Sequence, residues 1–240
     1  MRHAAKISRR RFLTFTAGVV AAPSLLSDES EVPTLLDHIL LGSNELQRGI
    51  DFLEQRTGVR AAFGGVHPGR GTQNALLSLG ERRYLEIIAP DPQQSGADNP
   101  LVCELRIIKE PRLVTWAAHP GNLSEFASKL RAARVSFDGP TPGSRNRPDR
   151  RLLEWQTLHL ADDNSGLLPF FIEWAPDSVH PSADAPKGCS LASFRVEVPD
   201  PAAFLAKLQL LGLDLAVHTG SRPELVAILD SPKGKLGLSS

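Results

Sequence analysis

Residues 35–58 read LLDHILLGSNELQRGIDFLEQRTG. The first part, residues 35–42, is a largely apolar run that ends at a glycine, which is typical of a buried strand. Apolar side chains then recur at the spacing of one helix face, at Leu46, Ile50 and Leu53. We therefore predict a helix over residues 44–57. It ends at Gly58, because glycine readily adopts the left-handed conformation that follows many helices.

Three shorter apolar segments follow this strand and helix. They are strand-like over residues 59–66, 75–79 and 83–89. The five segments together make a βαβββ unit.

The same order of elements recurs further along the chain. The second copy has a strand at 113–118, a helix at 122–133 and strands starting at 135, at 152 and at 168. A third, shorter copy has a strand at 190–198, a helix at 201–211 and strands near 215–219 and 225–229. Repetition over such lengths indicates that one architectural unit is used again.

The sequence therefore predicts an α+β protein built from tandem βαβββ units. We expect paired units over residues 33–176 and a C-terminal partial unit over 177–240 packed on them, after an N-terminal segment of residues 1–27. Connectors rich in proline and glycine are predicted to be loops over residues 90–100, 139–148 and 176–188.

The N-terminal segment predicts export. Before Asp28 the chain has five cations and no acid, and an apolar stretch over residues 12–22 follows the cations. The segment SRRRFLT at residues 8–14 resembles the twin-arginine motif S-R-R-x-F-L-K and departs from it at Thr14. This resemblance implies recognition by the twin-arginine export machinery and a periplasmic or extracellular location. One alternative to an export signal is a disordered basic tail. If the segment is a signal, it could also remain uncleaved and anchor the protein.

Composition excludes several classes of function. Lys+Arg and Asp+Glu both total 27, and without the first 24 residues the balance is 22 cations against 27 anions, a net charge of −5. Nucleic acid is therefore excluded as a partner, because no basic excess exists to bind a phosphate backbone. The chain has no Walker A loop, no G-x-S-x-G elbow and no H-E-x-x-H motif. Cys103 and Cys189 are either two buried thiols or a disulfide formed after export.

The tandem βαβββ units resemble the vicinal oxygen chelate superfamily, which includes glyoxalases and extradiol dioxygenases, and within it the glyoxalase-like domain proteins. The matching segments are LDHILLG at 36–42, HPGRGTQNALLSLG at 67–80, YLEIIAPDP at 84–92, RNRPDRRLLEWQ at 145–156 and LPFFIEWAP at 168–176. The resemblance implies a curved, cup-like mixed sheet that paired units form around a metal.

The resemblance also implies a set of metal ligands. His38 matches the ligand on the first strand, Glu86 the carboxylate on the fourth, and Glu173 the equivalent position of the second unit. The implied cofactor is a divalent metal, Zn, Fe, Mn or Ni, with Glu86 and Glu173 as catalytic residues. The residues support this independently, because a carboxylate between large apolar residues in a strand must be paired, protonated or metal-bound.

One position departs from the family's pattern. Aligning Leu46 with Leu123 makes Thr115 the second-unit equivalent of His38. A metalloenzyme of this class usually has His or Gln at that position. Three ligands can still hold a catalytic metal. One alternative is that the cup has lost its metal and only binds a small molecule. The other is that Glu86 and Glu173 form ion pairs with arginines across the cup.

Further residues are candidates for binding a substrate. His67 and Asn74 belong to a glycine-rich segment that enters a strand, and His159 lies in a predicted strand. Arg145 and Arg147 lie in one connector, where they could hold a substrate carboxylate. The alternative for His67 and Asn74 is a role in a turn with a solvated histidine, and the alternative for the arginines is a solvated loop.

These observations predict metal-dependent lyase, isomerase or dioxygenase chemistry on a small oxygenated organic molecule. The metal would polarise substrate oxygens and stabilise a developing oxyanion. The alternative is a metal-free protein that binds or sequesters a small molecule in the same cup. A structural module is a third alternative, and the sequence leaves a homodimer open.

Overall fold

The computed structural model describes Met1 and residues 32–96, 99–147 and 149–240. The predicted twin-arginine segment falls on residues outside this range, apart from Met1. Within the described residues, no helix combines the length and the apolar character needed to cross a membrane.

Three successive groups of elements make up the described chain. The first comprises β1 (Leu36–Gly42), α1 (Leu46–Thr57), β2 (Ala62–His67), β3 (Thr72–Ser78) and β4 (Tyr84–Pro90). A short 3₁₀ helix (Pro92–Gln94) and α2 (Pro100–Ile107) lead to the second group: β5 (Arg112–Ala118), α3 (Leu123–Ala132), β6 (Phe137–Asn146), β7 (Leu152–Leu160) and β8 (Phe170–Trp174). After α4 (Pro181–Asp184), the third group comprises β9 (Ser190–Val198), α5 (Pro201–Leu211), β10 (Ala216–Thr219), β11 (Glu224–Ser231) and β12 (Gly234–Ser239).

The first two groups share one sheet of eight strands. Its order is β2-β3-β4-β1-β5-β8-β7-β6, and the antiparallel pairing of β1 with β5 joins the two halves. The edge strands β2 and β6 come together, because the Arg145 guanidinium of β6 donates a hydrogen bond to the Gly64 carbonyl of β2. The sheet is therefore curled into a cup, which confirms the predicted α+β fold class.

The third group forms a second sheet, with the order β10-β9-β11-β12. Strands β11 and β12 pack against β5, and β12 also packs against α1. The two sheets share one apolar core, in which the buried rings of Trp116 on β5 and Phe194 on β9 meet edge to face at 5.4 Å. The Trp116 indole also donates a hydrogen bond of 2.9 Å to the Leu167 carbonyl, so the indole is fixed at this junction.

Helix ends follow the signals in the sequence. Gly58 ends α1 in the left-handed conformation, with φ of 80°, as predicted. Asn99 begins α2 by accepting a hydrogen bond from the Val102 amide, and Pro100 occupies the first turn, where it needs no donor. Asp200 and Pro201 begin α5 in the same way.

Three elements differ from the sequence-based prediction. β6 occupies most of the connector that was predicted to be a loop, α2 was not predicted, and β12 completes a βαβββ order in the segment predicted to hold only two strands after its helix. β6 contains two prolines and two glycines, which disfavour a strand. The strand forms because it lies at the sheet edge, where a residue without an amide hydrogen is tolerated.

The shared core predicts that both sheets unfold together. Phe194→Ala should lower the free energy of unfolding by about 3–5 kcal/mol, since it removes a fully buried ring at the junction. Urea unfolding followed by tryptophan fluorescence and by circular dichroism should give one coincident transition. Leu210→Ala, at a side chain that is 57% exposed, is the control and should change stability by less than about 0.5 kcal/mol. Two separate transitions would contradict the shared core.

Candidate functional site

A cavity of about 840 Å³ fills the cup. Alternate residues of several strands line it, because side chains along a strand point to opposite faces in turn. These inward residues are Thr72 and Asn74 of β3, Tyr84, Glu86 and Ile88 of β4, His38 and Leu40 of β1, Trp155, Thr157 and His159 of β7, and Phe170, Ile172 and Trp174 of β8.

His38 and Glu86 face one another in the cavity wall. The Nε2 atom of His38 lies 3.4 Å from Oε2 of Glu86, and its Nδ1 atom lies 2.7 Å from Oδ1 of Asp37. Tyr84 stacks on the imidazole ring at 4.4 Å, and Phe170 meets it edge-on at 5.6 Å. Both ring nitrogens therefore face carboxylate oxygens, while the aromatic neighbours keep the ring in one orientation.

Asp37 is a buried carboxylate that holds His38 in place. The side chain is only 2% exposed, and its second oxygen, Oδ2, accepts a hydrogen bond of 3.1 Å from the Trp174 indole. The same oxygen lies 3.2 Å from Nε2 of His180. Burial alone would raise the pKa of Asp37, but hydrogen bonds from His180 and His38 hold it well below its usual range. Asp37 is therefore a fixed negative charge behind His38.

The tautomer of His180 follows from its neighbours. The Ser182 hydroxyl lies 2.8 Å from Nδ1 of His180, and the Ser182 amide donates to the same nitrogen at 3.3 Å. Since an amide can only donate, Nδ1 is an acceptor, and Nε2 carries the hydrogen that points to Asp37. The segment that contains α4 thus supports the cup wall through a buried chain of polar groups.

Asn74 connects Glu86 to His67. Its Nδ2 atom donates to Oε1 of Glu86 at 2.8 Å and lies 3.3 Å from Nε2 of His67. Burial lowers the pKa of His67, with Glu86 opposing the shift, so the neutral ring can accept from Asn74 while Nδ1 bonds the Thr72 hydroxyl at 2.8 Å. The site requires glycine at position 64, since a Cβ atom there would lie 2.4 Å from Oδ1 of Asn74.

Arg145 places a buried cation in the same cavity. The residue is 4% exposed and lines the cup, and among the described residues its guanidinium has one hydrogen bond, to Gly64. Burial lowers the pKa of Arg145 from its ordinary value, while Glu86 and Tyr84 act in the opposite direction. A guanidinium has five donor hydrogens, so most of its capacity is left for an anionic ligand.

Two further donors lie on the neighbouring strand β7. The Thr157 hydroxyl is buried and has no hydrogen-bond partner within the described part of the chain, as is also true of Oδ1 of Asn74. The indole of Trp155 lies across Gly143, where a Cβ atom would come within 2.5 Å of Nε1. Since buried polar atoms are almost always satisfied, the Thr157 hydroxyl and Oδ1 of Asn74 indicate a place for a polar ligand.

The structure brings together most, but not all, of the predicted site residues. His38, Glu86, His67, Asn74, Arg145 and His159 line the cavity. Burial lowers the pKa of His159, whose ring stacks on Phe170 at 5.3 Å.

Glu173 and Arg147, by contrast, do not line the cavity with the other predicted site residues. Glu173 lies between two inward residues of β8, so its carboxylate points to the other face and accepts a 2.8 Å hydrogen bond from the Leu123 amide in the first turn of α3. A carboxylate is stabilised there by the helix dipole. Arg147 lies beyond the end of β6 and pairs with Asp184 at 2.6 Å.

The predicted metal ligands therefore do not come together. Only His38 and Glu86 of the three share the cavity, and both nitrogens of His38 face carboxylates of the protein. Among the residues that the structure describes, no group of three or more His, Cys, Asp or Glu side chains is arranged to hold a metal ion. The donor set present does not fit the implied metal.

Two halves of one curled sheet around a shared cavity define the glyoxalase-like class of fold. The model of the family described as "Glyoxalase-like domain" matches residues 36–212, so the chain belongs to the glyoxalase-like domain family. This confirms the predicted resemblance at the level of the family. No curated protein matches the chain.

One solved structure supports this fold, and a second is a weaker match. A hypothetical protein from Staphylococcus aureus is 17% identical, with a TM-score of 0.58 over 85% of this chain and 84% of that chain. Methylmalonyl-CoA epimerase from Mycobacterium tuberculosis is 18% identical, with a TM-score of 0.44 over 62% of this chain and 92% of that chain. At 17% identity the likeness to the first of these proteins concerns the fold alone.

Several residues of the site were not predicted from the sequence. Asp37 and His180 are 143 positions apart, and no local motif joins them. Thr157 belongs to a strand whose inward face could not be assigned in advance, and Trp155 was not among the candidate site residues. A signal for Asp37 was present, since an acid beside the candidate histidine in an apolar strand is costly unless it is paired.

The depressed pKa of Asp37 predicts a pH dependence of stability. The unfolded carboxyl titrates near pH 3.9, so below that pH the unfolded chain binds a proton that the folded chain does not. The contribution of Asp37 is therefore fully present above about pH 4 and decreases as the pH falls. Asp37→Asn should make the slope of unfolding free energy against pH shallower by up to about 1.4 kcal/mol per pH unit between about pH 3.5 and 2.5.

Urea unfolding at several pH values measures this slope. Asp230→Asn is the matched control, because that carboxylate is half-exposed and, within the described part of the chain, forms a surface ion pair with Lys235. The control should leave the slope nearly unchanged. Equal slopes for Asp37→Asn and the unsubstituted protein would contradict the assignment of Asp37 as a charged, hydrogen-bonded group.

Proposed function

We propose that the cup binds a small oxyanionic organic molecule and catalyses proton transfer at a carbon next to a carbonyl or carboxylate group. The observation that carries the proposal is the composition of the cavity wall. The buried carboxylate of Glu86 shares one cavity with the buried guanidinium of Arg145 and with the Thr157 hydroxyl, which has no hydrogen-bond partner among the residues that the structure describes. A proton acceptor and oxyanion donors in one cavity are the groups that enolisation requires.

Arg145 and Thr157 would bind the substrate's oxygen atoms. The guanidinium can bind a carboxylate through two parallel hydrogen bonds, and the Thr157 hydroxyl can donate a further one. Both groups are already buried, so little reorganisation is needed when negative charge develops on the substrate.

Glu86 would act as the base. Its carboxylate takes the proton from the substrate C–H bond, and the electron pair of that bond moves onto the substrate oxygen as an enolate. Return of the proton to the carbon, on the same face or the other, regenerates the carboxylate and completes an exchange or an isomerisation. His38 and Asn74 hold the carboxylate in position through its two oxygens.

The metal-dependent form of this chemistry is the less favoured version. It needs a third ligand, and the sequence-based candidate, Glu173, is occupied at the start of α3. One transition metal per chain, retained on purification without chelator and lost in His38→Ala, would restore the metal-dependent hypothesis.

The alternative function is binding without turnover. The feature that favours it is Thr115, which lines the cavity at the position where the second unit would supply a ligand. In that case the polar groups of the cup would serve recognition only.

Deuterium exchange tests the proposal. In deuterated water, a panel of short 2-oxo acids should exchange the hydrogens on C3 in the presence of the protein, as followed by proton NMR. Glu86→Gln should slow this exchange by about 10²–10⁴-fold, because the amide cannot accept the proton. Arg145→Met should instead weaken binding of the acids.

The matched control is Glu173→Gln, which changes a carboxylate outside the cavity and should leave the exchange unchanged. Binding of the acids without exchange would favour the alternative function. Neither binding nor exchange with any member of the panel would count against the proposal.

We also propose that the protein is exported by the twin-arginine pathway, on the basis of residues 8–14. Replacing Arg9 and Arg10 together by lysine keeps the charge but removes the paired guanidinium groups that define the motif. The variant should remain in the cytoplasmic fraction, whereas the unsubstituted chain should reach the periplasm or the medium, as measured by fractionation and immunoblotting. Equal distribution of the two proteins would contradict export by this pathway.

A further inference from the structure

One side of the cup is apolar and begins immediately beside Glu86. Leu40, Ile88 and Val114 form a buried cluster there, and Leu101 and Phe170 pack against it. All five side chains line the cavity. The cup therefore has a polar wall, which the proposed chemistry uses, and an apolar wall, which that chemistry leaves unassigned.

The pairing of β1 with β4 fixes how close the two walls are. Leu40 is the direct strand partner of Glu86, and Ile88 lies two residues beyond Glu86 on the same face of β4. Two residues of a strand span about 7 Å. A molecule whose reacting carbon contacts the Glu86 carboxylate would thus reach the apolar cluster within a few bonds.

Helix α2 supplies the outer part of this apolar wall. Asn99 begins the helix and also donates from Nδ2 to the Arg70 carbonyl at 2.9 Å, which ties the helix to the turn between β2 and β3. Glu104 pairs with Arg112 at 2.7 Å, and so the acid of this helix that lines the cavity already has a partner. The helix is therefore held at its start and at its middle, with Leu101 against the cavity.

The cavity is larger than a small acid requires. Cavities of roughly 300–1,000 Å³ accommodate drug-sized ligands, and 840 Å³ lies in the upper part of that range. A three-carbon acid bound by Arg145 and Glu86 would leave the space along Leu40, Ile88 and Leu101 to water. Burying apolar substrate surface against these side chains contributes about 0.8 kcal/mol for each methylene group.

We propose that the substrate is an amphipathic oxyacid, with a hydrocarbon part of several carbons that lies along Leu40, Ile88, Val114, Leu101 and Phe170. This proposal rests on the proposed function, since the orientation of the molecule follows from a polar end at Arg145 and Glu86. It deepens that function by naming the class of substrate.

Binding of a homologous series tests the proposal. Straight-chain 2-hydroxy acids with three to eight carbons should bind with an affinity that rises about fourfold for each added methylene, until the apolar wall is covered. Calorimetric titration measures each dissociation constant. Leu101→Gln should reduce the gain per methylene, whereas Ile107→Gln should not, because Ile107 lies on the same helix and is 78% exposed.

Two further measurements separate this proposal from the proposed function. Arg145→Met should weaken all acids by a similar factor and keep the gain per methylene. Primary alcohols of the same lengths lack the carboxylate and should bind weakly through the apolar wall alone, with the same sensitivity to Leu101→Gln.

An affinity that does not change with chain length in the unsubstituted protein would overturn the amphipathic substrate, while the proposed function would stand if the short acids bind through Arg145. Equal losses of the affinity gain per methylene in Leu101→Gln and Ile107→Gln would also overturn the amphipathic substrate. Length-dependent binding of the alcohols with no binding of any acid would leave the apolar wall as a binding surface but overturn both the proposed function and the oxyacid substrate.

Discussion

The buried carboxylate of Asp37 is the charge around which the cup wall is arranged. A buried ion is very costly unless hydrogen bonds satisfy it, and here three donors do so: the adjacent His38, and Trp174 and His180 from distant parts of the chain. They come from β1, from β8 and from the segment that begins α4. The requirement to satisfy one carboxylate therefore brings both halves of the large sheet, and the connector to the second sheet, to one point. This arrangement orients the His38 ring, and the oriented ring in turn lies against the Glu86 carboxylate.

The limits of prediction are clearest for the two glutamates. Glu86 lies in a strand that is buried on both faces, so its apolar neighbours indicate a buried carboxylate without indicating its direction. Glu173 has the same kind of neighbours, but Ile172 and Trp174 on either side of it face the cavity, and the alternation of the strand sends Glu173 to α3. A shift of one residue reverses the face of a side chain, and sequence alone does not fix that register. The strand and helix order of the first unit was predicted correctly, because its apolar spacing and Gly58 are local signals.

Strand β6 shows a different limit of prediction from sequence. Prolines and glycines indicate a loop when a segment is considered by itself. At the edge of the sheet the same residues are compatible with a strand, and Gly143 allows the Trp155 indole to lie across the wall of the cup. Arg145 was predicted as a substrate-binding residue, and its place in the cavity follows from this strand. Residue type was informative for Arg145, whereas the element that carries it depended on tertiary pairing.

The two halves of the cup are related by repetition but no longer carry equivalent groups. Glu86, the proposed base, and the side chains around it, His38, His67 and Asn74, all come from the first half, whereas Trp155, Thr157, Arg145 and Phe170 come from the second. A duplicated unit that divides its labour in this way can diverge unevenly. Substitutions in the second half can retune which molecule is recognised while the Glu86 carboxylate and the groups that contact it stay intact. The architecture thus offers an evolutionary route to new specificities on one preserved chemical core.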